Sequence, residues 1–157
     1  MVSSPKSSRF LIVRSILGWN ARNVKLNLAD MLRPSMHSLK HIAIVCVNDI
    51  TDPLFGIPSE LEVMRTKNII ETVTIIITVQ ADSDADFYQG DDWGRLDEVL
   101  TTPGWFSLKR VTLVIEIQCY DMGVFELPAE TASRKLHLTQ FPRLSLSNSV
   151  SFDLKVY

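Results

Sequence analysis

The sequence predicts an α/β fold built as a solenoid, with a curved parallel sheet and helices along its convex side. Three observations carry the prediction. First, residues 92–117 read as one unit: a helix with Trp93, Leu96, Val99 and Leu100 on one face, a break at Pro103 and Gly104, then a strand. In that strand Val111, Leu113, Ile115 and Ile117 alternate with Arg110, Thr112, Val114 and Glu116. Second, the strand recurs. LKHIAIVCV from residue 39 matches LKRVTLVIEI from residue 108, ETVTIIITV from residue 71 lies between them, and Leu39, Ile70 and Leu108 are 31 and 38 residues apart, the period range of repeat architectures. Third, the outward parity of the strands is mostly Thr, Ser, Asn, Lys and Arg, whereas a sheet covered by helices on both faces is apolar on both. That favours a one-sided solenoid over a doubly wound sheet, with Val45, Ile76 and Val114 as apolar exceptions on the open face.

The elements follow in order. Residues 1–20 form an N-terminal segment, disordered at its start; residues 10–19 are apolar enough to cover one end of a core, as helix or strand. The domain proper is expected over residues 21–157. A short strand over residues 23–28 has Val24, Leu26 and Leu28 alternating with Asn23, Lys25 and Asn27. After the strand from Leu39, Ser59 and Glu62 form a capping box for a helix that turns Leu61, Met64 and Ile69 inward. The strand of residues 70–79 buries Val73, Ile75 and Ile77. Asp91 or Asp92 caps the next helix. A weaker helix over residues 129–138 and a final strand, with Val150, Phe152, Leu154 and Val156 inward, close the chain.

With 157 residues, 46% hydrophobic and 22% charged, the composition is that of a single soluble domain. A net charge of −2 gives no global attraction to nucleic acid or to an anionic membrane, so neither is expected as a partner. The apolar runs fall short of the roughly 20 residues that span a bilayer. Cys46 and Cys119 lie on the apolar parity of strand patterns and read as small buried hydrophobes, which favours a reducing, cytoplasmic or nuclear, compartment. The first 29 residues are basic and rich in serine, superficially like a transit peptide, but the strand pattern at residues 23–28 argues against one.

Chemistry-bearing motifs are sparse. Asp82, Asp84 and Asp86 imitate the first ligands of an EF-hand, yet Phe87 stands where the loop needs glycine and Trp93 where it needs glutamate, so a solvated acidic loop and no metal is expected. His37, His41 and His137 come without HExxH or His-x-His spacing, and the glycines form no phosphate-binding loop. Neither a cofactor nor an enzyme is expected.

One further pattern points to a family. Trp93-x-x-Leu96-Asp97-x-x-Leu100, then Trp105-Phe106-Ser107-Leu108-Lys109-Arg110-Val111, then Phe141-Pro142-Arg143-Leu144 resembles the C-terminal leucine-rich-repeat-like region of F-box proteins from mushroom-forming fungi, over roughly residues 20–157. The resemblance implies a target-recognition surface of a Skp–cullin–F-box ubiquitin ligase. No F-box, with its Leu-Pro start and amphipathic helices, precedes residue 39, so a Skp-type adaptor is expected to bind only if an F-box lies outside this chain. The alternatives are an orphan structural repeat and, more remotely, a small α/β enzyme using His41 and Arg110.

Aligning the strands gives the expected partner-binding face. Asn23, His41, Thr72, Arg110 and Ser149 fall in one row, then Lys25, Ala43, Thr74, Thr112 and Ser151, then Asn27, Val45, Ile76, Val114 and Asp153. From these, Lys25, His41, Val45, Thr74, Ile76, Arg110, Thr112, Val114 and Asp153 are the expected contacts to a protein target, an apolar stripe with a polar rim. The competing reading lays residues 10–19 over that stripe.

Overall fold

The computed structural model describes residues 9–17, 27–48, 54, 56–66, 68–80, 91–118 and 129–157. Strands β1 (Arg9–Leu17), β2 (Leu39–Asn48), β3 (Thr72–Gln80), β4 (Arg110–Gln118) and β5 (Ser151–Val156) form one sheet, parallel throughout, in the order β1-β2-β3-β4-β5. Helices α1 (Leu28–Leu32), α2 (Ile57–Met64), α3 (Asp92–Thr101), α4 (Ala129–Thr139) and α5 (Pro142–Ser145) lie among them. The strand order runs straight through, without the reversal that defines a doubly wound sheet.

The period-2 pattern sets the core. Ile42, Ile44 and Cys46 of β2, Val73, Ile75 and Ile77 of β3, and Val111, Leu113 and Ile115 of β4 are buried on one parity, and they share a single cluster with Leu61, Met64, Trp93, Leu96, Leu100, Leu136, Phe141 and Leu144 from the helical segments. The helices pack against one another, α1 with α2, α2 with α3, α3 with α5 and α4 with α5. Burial pushes the Cys46 thiol up to about 11, so it is the inert small hydrophobe its parity predicts. Cys119 lies outside the described residues.

Several expectations need correcting. Residues 9–17 are a strand, so the sheet begins inside the stretch assigned to the N-terminal segment. β1 pairs edge-on with β2 and extends the sheet instead of lying across it, which removes the reading in which it covers the apolar stripe. Of the short strand expected at residues 23–28, Leu28 instead opens α1 and is buried at its start. Ser59 and Glu62 do not cap α2: the helix begins at Ile57, set by Gly56 at φ 80° and by Pro58 in its first turn. Ile69 is 37% exposed, because Asn68 stops the helix first. Its buried amide donates to the carbonyls of Met64 and Arg65 at 2.7 and 2.8 Å and accepts from Ile70 N–H at 2.9 Å.

The starts of α1, α2 and α5 are capped from a neighbouring helix and not from within. Glu60 of α2 accepts from Ala29 N–H in α1 at 3.0 Å, Asp92 of α3 accepts from Gly56 N–H before α2 at 3.0 Å, and Asp97 of α3 accepts from Arg143 and Leu144 N–H in α5 at 3.0 and 2.8 Å. Neither Asp91 nor Asp92 therefore caps α3 with its side chain. The Asp97 contact joins two of the motif segments, as do the rings of Trp93 and Phe141, 5.9 Å apart and edge to face. Gly104, at φ 126°, ends the α3 connection where an added Cβ would stand 3.0 Å from the Arg65 side chain.

Candidate interaction face

The opposite parity of the strands forms the second face of the sheet. His41, Thr72 and Arg110 are in register across β2, β3 and β4, followed by Ala43, Thr74 and Thr112, then by Val45, Ile76 and Val114. The expected rows are correct for these three strands. They change at both edges: Phe10 and Ile12 of β1 occupy the places expected for Asn23 and Lys25, and β5 is shifted by two, so that Ser151, Asp153 and Lys155 face Arg110, Thr112 and Val114. Asp153 therefore belongs to the Thr74 row and not to the apolar one. Lys25 lies outside the described residues.

The exposure differs between the faces. Ile75 is 0% exposed, whereas its neighbours Thr74 and Ile76 are half-buried, as are His41, Val45, Thr112 and Val114. Ala43 and Thr78 lie on the outward parity and are nonetheless buried. Phe10 and Ile12 are 60% and 52% exposed, large apolar side chains that the sequence reading did not place on the face. The Phe10 ring lies against His41 with centroids 6.2 Å apart. Val45, Ile76 and Val114 make a continuous apolar row, and Arg110 is exposed with no side-chain hydrogen bond or ion pair among the described residues.

A charged triad borders the strand starts. Glu71 takes Lys40 on one carboxylate oxygen and Lys109 at 2.9 Å on the other, while its carbonyl accepts the N–H groups of Lys109 and Arg110. The hydrogen bonds from Lys40 and then Lys109 hold the Glu71 carboxyl down at about 2. A folded-state value below the unfolded one means that the contribution is present above the ordinary carboxylate range and is lost as pH falls from about 4.5 towards 2. Thermal melts of the wild type and Glu71→Gln should accordingly differ at pH 6, with Gln lower, and converge near pH 2. A gap unchanged across that window would show that the lysines do not hold the carboxylate.

His137 is held elsewhere, with Nδ1 3.0 Å from Ser145 Oγ and its ring 5.1 Å from that of Phe152. His41 and Arg110 are separated by the Thr72 strand position. Among the described residues no cluster of three His, Cys, Asp or Glu side chains forms that could hold a metal ion, and no helix is long and apolar enough to cross a membrane. The acidic run from Asp82 to Asp86 lies outside the described residues.

No family model, curated protein or solved structure matches the chain. The face must be judged on its own chemistry. It offers an apolar row, hydroxyls and the uncommitted guanidinium of Arg110, groups that suit binding to another protein surface.

Proposed function

We propose that the chain is a non-enzymatic protein-interaction module of leucine-rich-repeat-like build, the target-recognition part of a ubiquitin-ligase receptor of the F-box kind, acting in the cytoplasm or nucleus. Its target lies on the outward sheet face. The observation that carries this reading is the apolar row of Val45, Ile76 and Val114 on the same face as the uncommitted Arg110, which lies two rows away, with exposed Phe10 and Ile12 at the β1 edge in the rows of His41 and Ala43. The solenoid is supported by the straight parallel strand order and by the capping of helices from neighbouring helices, which is how units that contact only their neighbours are held together. Thr74, Thr112 and His41 supply the polar contacts and Asp153 the rim; Lys25 is a further contact by sequence alone. A Skp-type adaptor binds only where an F-box is joined to this module.

The test is affinity capture with the intact chain, followed by Arg110→Ala. Arginine beside apolar surface is the composition of an interface hot spot, so the variant should lose about 1–3 kcal/mol of affinity for the captured target. Being exposed, Arg110 contributes little to the core, and the melting temperature should stay nearly constant. A variant that melts much lower and binds normally would make Arg110 structural and move the binding surface elsewhere. Capture of no target at all would favour an orphan structural repeat.

A further inference from the structure

The outer edge of β5 carries a second set of backbone groups, uncommitted except for one carbonyl. Ser151 N–H donates to Lys109 O at 2.8 Å, Tyr157 N–H donates to Ile115 O at 2.9 Å, and Tyr157 O accepts from Ile117 N–H at 2.9 Å. Odd-numbered residues therefore turn their backbone groups towards β4. By the alternation of a parallel ladder, Phe152, Leu154 and Val156 turn theirs away from the sheet. Among the described residues β5 has a strand neighbour on one side only. One side chain reaches the free edge: Ser133 Oγ of α4 donates to Leu154 O at 3.4 Å, a long contact that leaves the three N–H groups untouched. An open groove of about 730 Å³ runs beside this edge between α4 and β5, and two of its lining residues, Leu138 and Tyr157, are 72% and 68% exposed.

We propose that this edge pairs with a second copy of the chain, β5 against β5, antiparallel about a two-fold axis through Leu154. The strand SFDLKV is self-complementary in this arrangement. With Leu154 opposite its own copy and Phe152 opposite Val156, the outward-turned backbone groups meet as hydrogen-bonded pairs, the Leu154 carbonyl exchanging the long Ser133 hydroxyl contact for the partner's N–H. The positions between them then set Asp153 of each chain against Lys155 of the other, twice, in non-hydrogen-bonded pairs where side chains approach most closely. A slip of two residues sets Asp153 against Asp153 or Lys155 against Lys155, so a single register pairs opposite charges. Within one chain the two side chains are 3.2 Å apart and about half exposed, free to exchange partners. An unpaired edge strand invites this kind of pairing, and an isologous two-fold contact closes at the dimer.

The experiment is light scattering of the 157-residue chain at about 100 µM in low salt, a concentration suited to so small an interface. The expected mass is twice the 17.8 kDa of one chain, falling to that of one chain in about 1 M salt. Asp153→Lys sets lysine against lysine at both pairs and Lys155→Asp sets aspartate against aspartate, so each variant alone should be monomeric. Mixed in equal amounts, they should form a heterodimer, because every lysine then meets an aspartate. A monomeric wild type, a variant that dimerises by itself, or a mixture that stays monomeric would each overturn the proposal.

Discussion

Ile75→Asp should abolish the folded state. Ile75 is fully buried at the centre of β3, in register with Ile44 and Leu113, which are also 0% exposed. A carboxylate placed there has no partner, and burying it unpaired, or protonating it to avoid that, costs several kcal/mol against a total stability of about 5–15 kcal/mol. The lost packing of the isoleucine adds about 2–5 kcal/mol. Thr74→Asp, one residue earlier, should be far milder, because Thr74 is half-buried on the outward face between Ala43 and Thr112. Thermal melts of the two variants measure the difference directly. Equal destabilisation would mean that both faces of the sheet are covered, which would also sink the proposed binding face.

The inner face was legible because its signal is local and redundant. In β2, β3 and β4 the alternate β-branched and apolar residues name their own parity, and a one-residue error would invert the whole set, so the rows through His41, Thr72 and Arg110 could be read from sequence. Helix α3 was legible for the same reason, from Trp93, Leu96, Val99 and Leu100. The edges were not. In β1 the run RFLIVRSIL shows no alternation, and its assignment as a strand depends on pairing with β2, some thirty residues onward. In β5 the register depends on where the strand starts. The Ser147 hydroxyl accepts from Val150 N–H at 3.2 Å and holds a turn before the first ladder bond at Ser151, so the alignment begins two residues later than Ser149 suggested. The helix caps were illegible on a different ground. A capping box is a spacing of three residues, whereas Glu60, Asp92 and Asp97 cap across separations of 31, 36 and 46 or 47 residues, and local sequence holds no trace of such pairs.

Asp97→Ala should cost about 2–4 kcal/mol, the second largest effect expected of a single change. Asp97 is 3% exposed, and its two oxygens accept from the N–H groups of Arg143 and Leu144, the first turn of α5. No side chain at the N-cap position, Phe141, takes over this task. Alanine would leave both donors without an acceptor, at a place where Asp97, Phe141 and Leu144 are all buried. Glu98→Ala is the control. Glu98 also meets Arg143, at 3.6 Å, but both side chains are about 60% exposed, so its loss should cost less than about 0.5 kcal/mol. Burial pushes the Asp97 carboxyl up, and the Leu144 and Arg143 N–H groups offset this only in part. The folded chain therefore holds a proton on Asp97 more readily than the unfolded chain does. This site favours folding more as pH falls, opposite in sign to Glu71, whose contribution vanishes there. Denaturant unfolding of the two variants at neutral pH decides the matter. If Asp97→Ala and Glu98→Ala lose the same small amount, the link between α3 and α5 is not a cap, and α5 must be held by the packing of Phe141 and Leu144 alone.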